Sequence, residues 1–407
     1  MLVTHAHLDH TGRLPLLTKQ GYTGPVYATA ATIELVDLIL KDAAKIQSQD
    51  VERINRKRQG RGDEFVEPLY LAEHVEHLRP LLRSIPFDQP LEIAEGVTAR
   101  CVEAGHILGS ASIELTVEEG GRRKVIIFSG DLGPKGLPFI RDFETLREAD
   151  LVFLESTYGD RDHRPYGETV AEFEQIVQQG VAEGSKILVP TFAVGRAQQM
   201  IYHLAIMFYR CTIKPFPIFL DSPMAVEASQ IYRRHPELAD KEALETARKG
   251  VFPVDSTYFK ASVTVEDSKR LNDLPGPCLI LAGAGMCNAG RILHHFRQNL
   301  WRPETRVLIV GYQASGSLGR LLIEGTDRVT IHGESVAVRA KTHTLGGFSA
   351  HAGQTGLLDW FTAIAPSKPR VALTHGENGP REALAKLIRE RHQLEPILPG
   401  LGEAIEL

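Results

Sequence analysis

The sequence predicts an α/β protein made of two kinds of segment, and three observations carry that prediction. Short strands crowd residues 91–128, at 97–102, 111–117 and 124–128. Beyond residue 162 the rhythm changes. Strands at 186–190, 217–221, 278–282 and 306–310 alternate with helical stretches at 169–180, 195–209 and 290–300. Such alternation argues for a parallel sheet whose loops gather at the strand C-terminal ends. The last block then returns to the first style, with Arg370-Val371-Ala372-Leu373-Thr374 running as a buried strand into His375. At 407 residues the chain is long enough for two domains, or for one domain with a large insertion.

Composition narrows the partners. The net charge of −5 provides no global basic field for nucleic acid, so an anionic substrate would have to be held by local Arg and Lys, or by metal. Cys101, Cys211, Cys278 and Cys287 show no CxxC spacing and read as thiols of a reducing compartment. No apolar run reaches membrane-spanning length and no signal peptide precedes the first motif, so the cytoplasm is the expected location.

In chain order, the first motif is Thr4-His5-Ala6-His7-Leu8-Asp9-His10. Read as a strand end turning into a loop, its alternation sends His5 and His7 to one side, while Asp9 and His10 face a second point. Imidazole and carboxylate are ligands that zinc takes, and two pairs side by side suggest two metals. A short helix at 12–17, a turn at 21–25 and a brief strand at 26–28 follow. Residues 31–49 read as an amphipathic helix with Ile33, Val36, Leu40 and Ala44 near one face. The charged stretch 52–64 reads as a solvated loop or the frayed end of that helix, and 67–82 as a further helix.

Between the first two strands of the crowded region lies Ala104-Gly105-His106-Ile107-Leu108-Gly109, a histidine on a backbone that can approach something closely. Ile126-Ile127-Phe128-Ser129-Gly130-Asp131-Leu132-Gly133 is a buried strand ending in a glycine-bracketed aspartate, well placed to bridge two cations. The strand 151–155 ends in Glu155. In the alternating block, Gly- or Arg-bearing loops at 191–196, 283–286 and 311–316 can take phosphate on backbone N–H groups, although no Walker or dinucleotide fingerprint is present. The last block carries His343 and His351 before a helix at 353–363, then His375 and a helix at 379–392.

Together these residues suggest a site. One metal would take His5, His7 and His106, the other Asp9, His10 and His375, with Asp131 bridging. Two zinc ions roughly 3.5–4 Å apart hold a shared hydroxide at neutral pH and clamp a phosphate oxygen. The leaving oxygen of a phosphodiester benefits from a proton donor. His351 is the candidate, with Glu155 keeping its imidazole charged and oriented.

These residues resemble the metallo-β-lactamase-fold nucleases of the β-CASP group, which include RNA-processing enzymes related to the mRNA 3′-end cleavage endonuclease. His5-Ala6-His7-Leu8-Asp9-His10 looks like the family's HxHxDH motif, His106 like its third metal motif and Asp131 like its bridging aspartate. Glu155 is similar to the acidic motif A, His351 in Phe348-Ser349-Ala350-His351 to motif B, and His375 in Thr374-His375-Gly376-Glu377 to motif C. A histidine at motif C is typical of the RNA-acting members.

The resemblance implies an αββα metallo-β-lactamase sandwich over residues 1–161 and 331–407, with a β-CASP cap inserted at 162–330. It also implies a zinc-dependent ribonuclease with two zinc ions per chain, cutting single-stranded RNA in a cleft between the two domains. His351, Glu155 and Asp9 are then the catalytic residues. The expected substrate contacts are Phe348, Ser349, Ala350, His351, Ala352, Gly353 and His343, with Arg196, Arg291, Arg320 and Lys341 as candidate phosphate contacts. Endonucleolytic and 5′-exonucleolytic cutting both stay open, as do monomer and homodimer. Family members carry further strands ahead of the HxHxDH motif, so an unpaired sheet edge is expected here. Two other readings compete: a small-molecule hydrolase of the same fold, and a non-catalytic RNA-processing subunit. The former lacks the cap and the motifs around His351 and His375; the full ligand set argues against the latter.

Overall fold

The structure, a computed structural model, describes residues 1–248 and 258–406. Along the chain the strands are β1 (Val26–Ala28), β2 (Leu82–Ser84), β3 (Leu91–Ala94), β4 (Val97–Glu103), β5 (Ala111–Glu119), β6 (Arg122–Phe128) and β7 (Leu151–Glu155). There follow β8 (Lys186–Pro190), β9 (Ile218–Asp221), β10 (Phe259–Ala261), β11 (Cys278–Ala282), β12 (Arg306–Ile309), β13 (Arg328–Ile331), β14 (Glu334–Ala337), β15 (Lys341–Thr344) and β16 (Arg370–Thr374). The chain forms two compact units. Met1–Lys135, Arg141–Arg161 and His351–Leu407 make the first, Gly136–Ile140 and Asp162–Ala350 the second.

In the first unit a mixed sheet has the order β16-β7-β6-β5-β4-β3. Strands β3 to β6 are an antiparallel meander, while β6, β7 and β16 run parallel. Strand alternation splits the side chains between two faces. Val102, Val125, Ile127, Val152 and Leu373 pack with Trp360 and Phe361 of the helix Gln354–Thr362, and with Leu384 and Ile388 of the helix Asn378–His392. Ala99, Cys101 and Ile113 pack on the other side with Ile85 and Tyr27.

Register brings the strand ends together. Phe128 pairs with Phe153, Glu155 with Thr374, Ile113 with Phe128 and Glu103 with Ala111. The residues after β6, β7 and β16, and the loop from β4 to β5, therefore share one end of the sheet. The chain's first residues are hydrogen-bonded on both sides. The Val3 amide donates to the Tyr27 carbonyl at 2.9 Å and the Ala111 amide to the Thr4 carbonyl at 2.8 Å.

Two helices differ from expectation. The helix of residues 31–49 runs on to Gln59 as Ala30–Gln59, because the charged stretch supplies its own i,i+3 and i,i+4 pairs, Arg53 with Asp50 and Arg56 with Glu52. The helix expected at 67–82 shrinks to Ala72–Leu78; a 3₁₀ turn at Arg79–Leu81 follows, since Pro80 lacks the N–H that an α-helix would use.

The second unit contains an all-parallel sheet, β10-β9-β11-β8-β12-β15, and the antiparallel pair β13–β14. Every residue of β8, β11 and β12 is buried, as the near-continuous apolar runs of a parallel sheet covered on both faces require. This unit continues to Ala350, not to residue 330, because β15 pairs in parallel with β12. The expected division lay at 330/331. Among the described residues, no helix is long and apolar enough to cross a membrane.

Candidate metal centre

The common sheet end of the first unit gathers a cluster of imidazoles and carboxylates around Asp131. The Nε2 atoms of His5, His10 and His106 lie 3.4, 3.4 and 3.6 Å from Asp131 Oδ2, and His375 Nδ1 lies 3.4 Å from Oδ1. His106 Nε2 is 3.0 Å from His7 Nδ1, and His10 Nε2 is 3.2 Å from His375 Nε2. Asp9 Oδ2 is 3.4 Å from His375 Nε2. Three groups each converge with all their ligand atoms within 4.8 Å: His5, His7, His106 and Asp131; Asp9, His10 and His375; and Asp131, Glu155, His351 and His375.

Local chemistry builds this convergence. Asp131 follows β6 through Gly130, whose φ of +59° suits glycine. Two residues later a Cβ on Gly133 would collide with the Gly105 carbonyl, so only glycine lets the Asp131 and His106 loops touch. The Gly133 amide donates to the Ala104 carbonyl at 2.8 Å across that contact. His375 directly follows β16 with φ +48°, an uncommon conformation for a residue with a Cβ.

The residues fit a metal ion. His5 Nε2 and Asp131 Oδ1 are buried atoms without a hydrogen-bond partner, a costly state for polar atoms removed from water. Burial pushes His5 well below the ordinary imidazole range and His7 down to about 4, against the opposing charge of Asp131. Both rings are therefore neutral at neutral pH, the form that offers a lone pair. Burial alone would raise the Asp131 carboxyl, but the His10 hydrogen bond and the nearby imidazoles hold it well below the usual range.

Beside the cluster, His351 Nδ1 lies 3.3 Å from Glu155 Oε1 and 4.0 Å from Asp131 Oδ2. Burial would lower His351, yet the charge and hydrogen bond of Glu155 and the charge of Asp131 outweigh it, and the imidazole is raised above its ordinary value. Glu155 is itself pinned. It accepts from the Leu132 amide at 2.6 Å and from the Thr157 amide at 3.3 Å.

The expected substrate contacts fall in both units and differ in burial. Phe348 is fully buried in the second unit, its ring 5.2 Å from that of His203 and 5.7 Å from that of Phe173. Ala352 is buried in the core of the first unit, and its amide donates to the Leu132 carbonyl at 2.6 Å. The Gln354 amide is likewise taken by the Arg161 carbonyl. His343 sits on β15 with Nε2 3.2 Å from the buried guanidinium of Arg306. Residues 348–350 belong to the second unit and 351–353 to the first. The four candidate phosphate cations are all engaged: Arg291 with Asp221, Arg320 with Glu324, Lys341 with Glu183, and Arg196 with Gln199.

Three hydroxyls that sequence reasoning passed over shape the cluster. Thr4 Oγ1 is 3.2 Å from His5 Nδ1, Thr157 Oγ1 is 3.1 Å from His375 Nδ1, and Ser110 Oγ accepts from the His106 amide at 3.0 Å. Each lies within four residues of a candidate ligand or of Glu155, and that proximity is the only signal they give.

Comparison with known proteins agrees with this geometry. Residues 1–182 match the metallo-β-lactamase superfamily, 197–322 the Beta-Casp domain, and 335–399 the Zn-dependent metallo-hydrolase RNA specificity domain. Ribonuclease TTHA0252 of Thermus thermophilus is 41% identical over 405 residues, spanning 100% of this chain and 87% of that protein. The transcription termination factors FttA of Cenarchaeum symbiosum and Thermococcus kodakarensis are 31% and 29% identical across 100% of this chain. The chain spans 62% of the length of each of those two archaeal relatives. The chain belongs to the β-CASP family of metallo-β-lactamase-fold nucleases.

Proposed function

We propose that this chain is a zinc-dependent ribonuclease that hydrolyses phosphodiester bonds of single-stranded RNA at the Asp131 cluster. The observation that carries the reading is the convergence of imidazoles and carboxylates on Asp131, with His5 Nε2 and Asp131 Oδ1 left without hydrogen bonds. The match to an RNA specificity domain and the name of the Thermus relative support RNA as substrate. In this reading His5, His7 and His106 hold one ion, Asp9, His10 and His375 a second, and Asp131 touches both. What zinc supplies when bound is Lewis acidity toward a phosphoryl oxygen and a water made acidic enough to react near neutral pH.

The protein's own part is proton transfer and positioning. Glu155, fixed by two amides, holds His351 through Nδ1 and favours its protonated form. With Nδ1 so turned, His351 gives a proton from Nε2 to the leaving oxygen. A second reading has a specific basis, since His351 also lies within ligand distance of Asp131, Glu155 and His375.

The test is cleavage of end-labelled single-stranded RNA by zinc-loaded protein, beside matched DNA, with zinc content measured on wild type and His351→Ala. Internal RNA cuts are expected, slowed roughly 10²–10⁴-fold in the variant at unchanged zinc content. Loss of zinc from His351→Ala would make His351 a ligand instead. Absence of cleavage by folded, zinc-loaded wild type would overturn the ribonuclease reading.

A further inference from the structure

The helix Ala30–Gln59 has two halves with different surroundings. Its buried residues run from Ala31 to Ala44 and stop there. The start of the helix is tied to the metal centre's loop, where the Thr29 and Thr32 hydroxyls donate to the Gly109 carbonyl at 2.6 and 2.8 Å. Gly109 is three residues from His106. Beyond Ala44 nothing in the helix is buried. At 1.5 Å per residue this second half projects about 22 Å.

Its two sides differ. On one side Asn55 pins the returning chain, donating from Nδ2 to the Val66 carbonyl and accepting the Val66 amide, both at 2.9 Å. Arg58 is on the same side and donates to the Glu64 carbonyl. On the other side Arg53, Arg56 and Lys57 stand at i, i+3 and i+4, all exposed, with exposed Arg61 just past the helix end. Residues 53–62 hold five cations and no acid, in a chain whose net charge is −5.

Two of these cations are lightly held, in exposed pairs of 2.8 Å (Arg53 with Asp50) and 3.7 Å (Arg56 with Glu52). Such pairs contribute little and exchange readily for a phosphate. Among the described residues Lys57 and Arg61 make no ion pair. Phe65, on the returning chain, is 64% exposed. A basic helical face grips the phosphates of single-stranded nucleic acid without sequence preference, and an exposed aromatic ring on the opposite flank of the same projection offers a base a stacking surface.

We propose that this projecting half-helix is an accessory contact for the phosphate backbone of single-stranded RNA, with Phe65 stacking on a base. The proposal rests on the ribonuclease reading and deepens it. An RNA cut at the Asp131 cluster would also be held about 40 Å along the helix from the end that abuts the His106 loop.

The test is fluorescence-anisotropy binding of ~40- and ~6-nucleotide single-stranded RNA to the full chain in chelator, across a salt series. The variants are R53S/R56S/K57S/R61S, R53K/R56K/R61K and F65S. For the longer RNA the serine variant is expected to bind at least ~10-fold more weakly, with a log–log salt slope shallower by about 3. Binding of the shorter RNA should not change. The lysine variant should stay within about twofold of wild type, and F65S should weaken the longer RNA about fivefold at an unchanged slope.

Wild-type affinity and slope in the serine variant would overturn the proposal. So would an equal loss for both RNA lengths. A changed sedimentation coefficient at unchanged RNA affinity would assign the face to a protein partner, and also overturn it. Cleavage is scored separately on the ~6-nucleotide RNA, so failure of the ribonuclease reading remains distinguishable from failure of this contact.

Discussion

Both units present carboxylates at the ends of buried strands, and the two sets live in opposite circumstances. In the second unit Asp221 closes β9 with its side chain fully buried and every neighbour turned toward it. Ser268 Oγ donates at 2.6 Å, Arg291 Nη1 at 2.7 Å, and His295 Nε2 lies at 2.7 Å. In the first unit Asp131 is just as buried and faces five imidazoles, yet its Oδ1 accepts no hydrogen bond and His5 Nε2 beside it has no partner. A buried acid at a strand end is therefore not in itself the mark of a reactive centre. What separates the two is whether the polar groups complete one another or leave atoms open toward a common point.

The sharpest way to break this comparison is Asp131→Ala. We expect zinc content to collapse and RNA cleavage to fall by roughly 10⁴-fold, or about 5 kcal/mol of barrier. The metal-free melting temperature should hold or rise, since a buried and incompletely paired carboxylate is removed. A clear drop in that melting temperature would put Asp131 in the same structural class as Asp221.

Asp221→Asn is the mirror experiment. An amide cannot balance Arg291 and the hydrogen-bonded His295, so we expect a loss of about 3–5 kcal/mol in urea unfolding at unchanged zinc content. The pH dependence has a definite sign. Burial alone would raise the Asp221 carboxyl, but hydrogen bonds from His295, Ser268 and Arg291 bring it down to about 2, below the ordinary carboxylate range. Its stabilisation is complete above the unfolded value and is lost as pH falls from about 4 toward 2. The wild-type protein should show that acid limb and the Asn variant should lack it.

Much of the centre could be read from sequence, because it is built from strand ends. A β-strand running out into a histidine or an acid is a one-dimensional pattern, and Asp131, Glu155 and His375 obey it, Asp131 and His375 with a glycine alongside. The structure brings all three together with His5, His7, His10 and His106. Satisfaction of hydrogen bonds has no such pattern. Nothing in Ile218-Phe219-Leu220-Asp221 separates it from Leu151-Val152-Phe153-Leu154-Glu155 until Ser268, Arg291 and His295 arrive from far along the chain. Phe348 misled for a related reason. The resemblance names it as a substrate contact from its place in the motif, but His203 and Phe173 from two distant helices bury its ring. The Ala30–Gln59 helix was underestimated because apolar periodicity ends at Ala44, while ion pairs carry the helix onward.

Gly133→Ala probes how closely the first unit's loops must approach. A Cβ there collides with the Gly105 carbonyl, which is backbone and cannot rotate aside. Separating the Asp131 and His106 loops should cost about 2–3 kcal/mol of stability and weaken zinc binding with it. Retained zinc affinity together with lowered stability would show that the Asp131 cluster tolerates looser loops than its geometry suggests.

Thr157→Val tests the smallest element of the contrast, a hydroxyl that orients one candidate ligand. Thr157 Oγ1 lies 3.2 Å from the His375 carbonyl and 3.1 Å from His375 Nδ1. A hydroxyl has one proton. If it donates to the carbonyl, it accepts from Nδ1–H, and His375 then keeps its Nε2 lone pair toward Asp9 and His10. That bond also steadies a residue held at a positive φ. Valine preserves the shape and removes both interactions, so the weaker-bound zinc should lose about tenfold in affinity by chelator competition, roughly 1.4 kcal/mol. Thr157→Ser should restore it. Equal affinities in wild type and the valine variant would mean that Asp131 and Asp9 alone set the His375 ring. The first unit would then depend on charge where the second, around Asp221, depends on a closed set of hydrogen bonds.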